Sequence, residues 1–352
     1  MYFRKKLKMK KIVVTGGCGY IGSHTLIDLI ENGFEVISID NHLRSHISQL
    51  HAVEKITGHK ILNYNIDLCN AADVISVFEK EKSIEGIIHF AALKSVPESV
   101  AQPMLYYQNN LQSLINILNA AQKFNVKNFV FSSSCSVYGN ATELPVTELT
   151  PLQNAESPYG FTKQIGERII ADFAKINSDM NFILLRYFNP VGAHESALIG
   201  EVPFEKPSNL VPIITQTAIG KNPLVTVFGN DYPTKDGSCV RDYIHVMDLA
   251  NAHTKSLQYL IDKKNTANYD IINIGSGNGH TVLEAINAFE EVTKQLLNYT
   301  IGNRREGDTI AVYADISKAQ QKLGWQPLRD IKAMMLTAWN WEKQMSNKHK
   351  LY

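Results

Sequence analysis

Tyr159 and Lys163 stand four residues apart in the stretch Ser157-Pro158-Tyr159-Gly160-Phe161-Thr162-Lys163. On a helix that spacing puts both side chains on one face. An ammonium fixed beside a phenol favours the phenolate and lowers the phenol's pKa. A tyrosine so placed can take a proton from an alcohol or sugar hydroxyl near neutral pH. The spacing arises by chance in many helices, so its meaning rests on what surrounds it. Upstream, Ser132-Ser133-Ser134 closes an apolar run and leads into Cys135-Ser136-Val137-Tyr138-Gly139. A Ser134 hydroxyl beside the phenol can donate and accept, orienting a substrate hydroxyl and relaying its proton. Taken alone, the segment also reads as a serine-rich turn.

A second constellation lies near the start. An apolar run, Lys11–Thr15, enters Gly16-Gly17-Cys18-Gly19-Tyr20-Ile21-Gly22. Gly16, Gly19 and Gly22 allow a tight turn, close backbone approach to a pyrophosphate, and close packing of the following helix, whose N-terminus receives the phosphates. The motif is weak by itself, but here it follows a strand and opens a helix. Asp40 falls 18 residues after Gly22, at the end of the second strand. A carboxylate there accepts from the adenosine ribose hydroxyls and repels a 2′-phosphate, favouring NAD over NADP. Asp67 closes the third expected strand, and Phe90-Ala91-Ala92-Leu93-Lys94 follows the fourth with small residues where a cofactor backbone would pass.

The elements that must position these residues alternate. Strands are expected at 11–15, 35–40, 61–67, 86–91, 128–134 and 182–188, with short apolar runs suited to burial on both faces. Helices are expected at 22–32, ended by Gly33 as a C′ glycine, at 103–124 and at 159–177. This order predicts an α/β fold, a Rossmann-type doubly wound parallel sheet whose ligands sit beyond the strands' carboxyl ends. After residue 189 prolines punctuate shorter segments. The expected division is a basic leader at 1–8, an NAD-binding domain at 9–189, and a mainly substrate-binding lobe at 190–352, with 240–275 returning to the sheet. Met9 is a candidate original start.

The 352 residues are 44% apolar and 20% charged, with a formal net charge of +1. That composition suits a globular enzyme and gives no global field for nucleic acid. No apolar run reaches the length of a membrane span. Arg4, Lys5, Lys6, Lys8, Lys10 and Lys11 make a basic start, but the apolar stretch behind them is too short for a secretory signal. Cys18, Cys69, Cys135 and Cys239 form no CxxC and read as reduced thiols in a cytoplasmic protein. No metal-ligand spacing is visible among the histidines.

With the glycine motif, Ser134 and Tyr159-x-x-x-Lys163 in place, the chain resembles the extended short-chain dehydrogenase/reductase superfamily. The segments Thr15–His24, His89–Lys94, Leu185–His194, Phe228–Thr234, Val240–Leu249 and Arg304–Asp308 resemble the UDP-glucose 4-epimerase family within it, over about residues 10–342. The resemblance implies NAD as cofactor, a UDP-sugar substrate, and a homodimer built on helices 103–124 and 159–177. It implies Tyr159 as base, Lys163 as its electrostatic partner and ribose ligand, and Ser134 on the sugar 4-hydroxyl. Cofactor contacts would come from Gly16, Gly19, Tyr20, Ile21, Gly22, Asp40, Asn41, Asp67, Leu68, Phe90, Ala91, Ala92, Lys94, Asn109, Ser132 and Tyr187. Substrate contacts would come from Lys94, Phe188, Asn189, Asn209, Leu210, Thr226, Phe228, Arg241, Arg305, Asp308 and Val312. Arginines on the diphosphate also suit the geometry of a guanidinium fork.

In the implied reaction, Tyr159 takes the 4-OH proton while hydride leaves C4 for NAD and then returns to the opposite face, with no net redox change. Five other readings compete. A nucleotide-sugar 4,6-dehydratase or a UDP-glucuronate decarboxylase would carry an acid after Ser134, where this chain has Cys135-Ser136. A UDP-glucuronate 4-epimerase or a net dehydrogenase shares most of the parts. A silent NAD-binding regulatory module would lack Ser134, Tyr159 or Lys163, and all three are present. The family's position near the sugar 2-substituent, where tyrosine excludes N-acetyl sugars, is Val312 here. That predicts room for UDP-N-acetylglucosamine, unless a one-residue slip brings Tyr313 into the space.

Overall fold

The structure, a computed structural model, describes residues 9–203, 207–305 and 309–349. The basic leader at 1–8 and Asp308 lie outside them. Among the described residues thirteen strands follow in chain order: β1 Lys11–Thr15, β2 Glu35–Ile39, β3 Leu62–Tyr64, β4 Ile84–His89, β5 Asn128–Ser134, β6 Asn181–Tyr187, β7 Asn189–Val191, β8 Val225–Phe228, β9 Val240–His245, β10 Tyr269–Ile274, β11 Gly279–Thr281, β12 Tyr299–Gly302 and β13 Ala311–Val312.

Seven of them form one sheet in the order β10-β6-β5-β4-β1-β2-β3, and every pairing in it is parallel. Parallel strands are covered on both faces, which explains why β1, β4 and β5 are almost wholly apolar or buried. Helices Tyr20–Glu31, Ser48–Thr57 and Val246–Ile261 bury Leu26, Leu50, Val53 and Leu249 against one face. Helices Ala71–Lys80, Pro103–Lys123 and Pro158–Ile176 bury Val77, Leu114, Ile117 and Ile170 against the other. This is the Rossmann-type α/β architecture. The helix after β1 ends as expected, with Gly33 at φ +82°.

Two expectations move. The third strand is only three residues long, so Asp67 lies in the turn beyond it rather than at its end. Residues 240–275 divide: β10 is the edge strand of the large sheet, whereas β9 pairs with β7, β11 and β13 in a separate small sheet. A third core, with Val211, Ile214, Ile286, Phe289, Met335 and Trp339, lies among residues 191–339.

A buried ion pair fastens helix Pro158–Ile176 to the sheet. Glu167 accepts from Arg186 Nε at 2.9 Å and Nη2 at 2.6 Å, and from the Ser133 hydroxyl at 2.5 Å. Both partners are nearly inaccessible, at 4% and 3% exposure. Removing one partner strands the other charge in the interior, so Glu167→Ala should destabilise the protein by about 3–5 kcal/mol. The check is a urea unfolding midpoint, which should fall sharply; an unchanged midpoint would show that the pair is not under tension from burial.

Candidate active site

The glycine turn is built for close approach. A Cβ at Gly22 would stand 2.2 Å from the Gly16 carbonyl oxygen, and Gly16 itself has φ +69° with Ala91 directly opposite. The helix opens at Tyr20 with Gly19 as N-cap, which offers no side-chain acceptor. The helix's first N–H groups and positive dipole end therefore face the turn, a ready anion site. Tyr20 also reaches out of the loop: its hydroxyl donates to the Gly192 carbonyl at 2.6 Å.

Asp40 follows β2, and its carboxylate is already oriented. Oδ2 accepts from the Cys18 N–H at 2.9 Å, and Oδ1 accepts from the His42 N–H at 2.9 Å and the Ser45 hydroxyl at 2.6 Å. A carboxylate has about four lone-pair sites, two per oxygen, so Oδ2 can still accept from a ribose hydroxyl. Asn41 turns back onto the Leu43 N–H. Asp67 is exposed and accepts from the Cys69 N–H, while Leu68 is buried beside it. Space gathers what the histidine spacing did not show: atoms of Cys18, Asp40 and His42 lie within 4.8 Å of one another. They sit at the adenosine end of the expected cofactor path.

After β4, Phe90 and Ala91 donate to the main chain and hydroxyl of Thr15. The loop through Ala92 to Lys94 is held by a residue that sequence reasoning missed. Asn110 accepts from the Leu93 N–H at 2.8 Å and donates to the Leu93 carbonyl at 3.0 Å and to Thr162 at 3.2 Å. Asn109, the expected contact, donates to Asn110. Lys94 pairs with Glu201 at 2.9 Å, with its ammonium 5.9 Å from the Tyr20 ring centre. Ser45, Asn110 and Glu201 carry no sequence motif; only their partners in space mark them.

The catalytic candidates meet at the carboxyl ends of β5 and β6. Ser157 caps helix Pro158–Ile176 by accepting from the Gly160 N–H at 3.1 Å, and Pro158 supplies a first helical residue with no N–H to satisfy. Tyr159 is therefore in the first turn and Lys163 one turn on. Lys163 is buried and donates to the Ser132 carbonyl at 2.6 Å. The Ser132 hydroxyl is 2.5 Å from the Tyr187 hydroxyl. Burial brings the Lys163 ammonium down to about 8, with Glu167 opposing the change.

The phenol corrects an expectation. Burial pushes Tyr159 up rather than down, with Tyr187 adding to the rise and a hydrogen bond from Ser134 acting against it. The reason is geometric. Lys163 points its ammonium at Ser132, 5.9 Å from the Tyr159 ring centre, so desolvation outweighs attraction. Ser134 is followed by Cys135, whose thiol burial raises to about 12, and by Ser136; no acid stands there.

Beyond the sheet, β7 carries Asn189, which donates to the Asp242 carbonyl at 2.9 Å, next to buried Phe188. Arg241 on β9 donates to the Thr309 carbonyl at 2.6 Å, and Val312 on β13 is its register partner. Thr226 and Phe228 are on β8, and the Arg305 guanidinium lies 4.4 Å from the Phe228 ring centre. Asn209 stands at the N-cap of helix Leu210–Ala218, with no capping bond from its side chain, and is exposed. Val312 packs with Val137, Tyr138 and Phe188, whereas Tyr313 turns the other way, against Gly279.

A Rossmann sheet with this glycine turn and a Ser-Tyr-Lys cluster at its carboxyl edge defines an NAD-dependent enzyme of the extended short-chain dehydrogenase/reductase class. The family model described as GDP-mannose 4,6 dehydratase matches residues 13–337. The UDP-glucose 4-epimerase of Bacillus subtilis is 45% identical over 339 residues, covering 96% of this chain and 98% of that protein. A UDP-glucose 4-epimerase structure from Stenotrophomonas maltophila, with bound NAD and formylated UDP-arabinopyranose, superposes with TM-score 0.93 at 43% identity, covering 97% of this chain and all of that one. Another, from Bifidobacterium longum with NAD+ and UDP, gives 0.90 at 44% identity, covering 96% and 99%. The chain belongs to the UDP-glucose 4-epimerase family.

The Gly16–Gly22 turn tests the cofactor fit directly. Gly22→Ala forces the turn apart, and cofactor extracted per chain should drop about 10-fold or more, the worth of roughly 1.4 kcal/mol. Circular dichroism should stay that of a folded protein. A variant that copurifies with a full complement of NAD would mean that the turn does not hold the pyrophosphate.

Proposed function

We propose that this enzyme interconverts UDP-galactose and UDP-glucose with a single retained NAD. The observation that carries this reading is the convergence of Ser134, Tyr159 and Lys163 at the carboxyl edge of a sheet whose first strand runs into an NAD-type glycine turn, with no acid after Ser134 to expel water. Bound NAD would supply a reversible hydride acceptor for C4. The chain's own residues do the rest. Tyr159 holds and exchanges the proton of the 4-oxygen, and Ser134 orients that oxygen through its hydroxyl. Lys163 supports negative charge on the phenol and leaves its remaining donors for the cofactor ribose. Gly16, Gly19 and the helix start at Tyr20–Gly22 receive the pyrophosphate, Asp40 and Asn41 the adenosine ribose, and Asp67 and Leu68 the adenine. Phe90 to Ala92, Lys94, Asn109, Ser132 and Tyr187 line the remaining cofactor path.

The UDP moiety is read onto Asn189, Asn209, Leu210, Thr226, Phe228, Arg241, Arg305 and Asp308, with the guanidinium of Arg241 or Arg305 on the diphosphate. Polar contacts concentrated there leave the sugar free to turn between its two faces. Val312 beside Phe188 forms an aliphatic wall with more room than a tyrosine would leave, so UDP-N-acetyl sugars should be accepted as well. Exposed Met104, Leu105, Ile115 and Phe161 on helices Pro103–Lys123 and Pro158–Ile176 suit a homodimer. Four free cysteines suit a cytoplasmic enzyme. Among the described residues no helix is long and apolar enough to cross a membrane.

Purified protein given UDP-galactose and no added NAD should form UDP-glucose without accumulating NADH. Stoichiometric NADH release would instead mark a dehydrogenase. Tyr159→Phe should lower kcat by about 10²–10⁴, the usual worth of a positioned acid–base group, and keep its cofactor; retained activity would remove Tyr159 from the proton-transfer role.

The sugar pocket is tested by Val312→Tyr. It should cut kcat/KM for UDP-N-acetylglucosamine at least about 10-fold relative to UDP-glucose, in the range a misfitting pocket group is worth. An unchanged ratio would show that Val312 does not face the 2-substituent.

A further inference from the structure

Asp242 is absent from the substrate-contact set, yet the residues of that set are tied to it. It is fully buried on β9. Its Oδ1 accepts from both the N–H and the hydroxyl of Ser276, each at 2.7 Å, and its Oδ2 accepts from the Ala314 N–H at 3.1 Å. Its main-chain carbonyl accepts from Asn189 Nδ2 at 2.9 Å. Ser276 follows the end of β10 in the large sheet, Ala314 follows β13, and Asn189 begins β7. One residue therefore joins the large sheet to the small one at its exits. Space is kept for it: a Cβ at Gly275 would stand 2.3 Å from Oδ2.

The strands so joined carry the substrate candidates. Arg241 is next along β9, and Val312 is its partner on β13. Alternation along a strand sends Arg241 and Asp242 to opposite faces, so the carboxylate anchors the strand from behind the guanidinium. A carboxylate only accepts, and it can take donors from several strands without a donor of its own to satisfy. Burying one is costly unless hydrogen bonds compensate. Burial pushes the acid up to about 6, with the Ser276 and Ala314 donors acting against the rise. The thiol of Cys135, in the turn after Ser134, feels its charge, and Arg241 acts on the same thiol with the opposite sign.

We propose that Asp242 is a positioning residue for the reaction, setting the separation between the diphosphate anchor at Arg241 and the sugar-facing wall at Val312 by pinning β7, β9 and β13 to the exit of β10. The inference rests on the function proposed above. It assigns Asp242 no contact with substrate.

The test is steady-state kinetics and UDP calorimetry on NAD-loaded, full-length Asp242→Asn and Ser276→Ala. The first keeps the shape but turns one acceptor into a donor facing an N–H. KM for UDP-galactose and Kd for UDP should rise about 10-fold or more, as for an unsatisfied buried donor, with kcat within about 3-fold and NAD content unchanged. Ser276→Ala removes one hydroxyl donor, and KM and Kd should rise about 2–5-fold. Wild-type KM should rise as pH falls below about 6, while that of Asp242→Asn stays flat. Unchanged KM and Kd in both variants, or a loss confined to kcat, would overturn the proposal. Should Asp242→Asn fail to fold, Ser276→Ala decides alone: normal KM and Kd there overturn it. A wild-type protein that neither binds UDP nor epimerises would overturn the functional reading together with this one, whereas an active wild type with unaffected variants overturns this one only.

Discussion

The hydrogen bond from Lys163 to the Ser132 carbonyl is the contact on which the reactive edge of this protein depends. It drives an ammonium into the interior and ties helix Pro158–Ile176 to the end of β5. A buried ammonium must be compensated. The Ser132 carbonyl does so directly, and Glu167, one turn further along the helix, does so through charge. Glu167 is in turn held by Arg186 and Ser133, which are register partners on β6 and β5. Ser134 and Tyr187 are the next register pair, so they emerge level with the first turn of the helix. The positions of Tyr159, Ser134 and Tyr187 thus follow from one buried polar network.

That network also explains how a phenol that resists ionisation can still exchange protons. Burial penalises phenolate and ammonium separately, so Tyr159 is pushed up and Lys163 down. The pair in its ionised form carries no net charge, and the low local dielectric that penalises each charge strengthens their mutual attraction. A ligand cation near the ring would bias the phenol toward phenolate; a Ser134 hydrogen bond already does. The spacing of Tyr159 and Lys163 revealed that they belong together. It could not reveal that the ammonium points at Ser132.

The Rossmann half of the chain was legible because its signals are local. β1, the glycine turn and the helix after it occupy consecutive residues, and Gly33 ends that helix in the left-handed region its type suits. Asp67 was misplaced because the strand-like stretch Ile61-Leu62-Asn63-Tyr64-Asn65-Ile66 outlasts the three residues that actually pair. The small sheet was not legible at all. β7 and β11 are three residues long and β13 two, too short for any alternation to register, so β9 could not be separated from the β10 that follows it. Asn110, Glu201 and Asp242 act on partners far away in sequence, and nothing beside them marks the contact. The UDP-binding roles came from likeness to a family, not from periodicity.

The seam between the two halves bears on the cofactor retention proposed above. The segment after β7 is fixed to the Rossmann half at three places: the Tyr20 hydroxyl, at the end of the glycine turn, donates to Gly192, Gln49 to the Gly200 carbonyl, and Lys94 to Glu201. From the other side, Trp341 donates to the Glu201 carbonyl, and a Cβ at Gly200 would collide with the Trp341 ring at 2.5 Å. The Rossmann half is therefore braced against the lobe expected to hold the substrate, with the Tyr20 contact at the turn expected to hold the pyrophosphate. A dehydrogenase must open such a seam in every cycle. An enzyme that returns its hydride need never do so, and a closed seam then costs it nothing in rate.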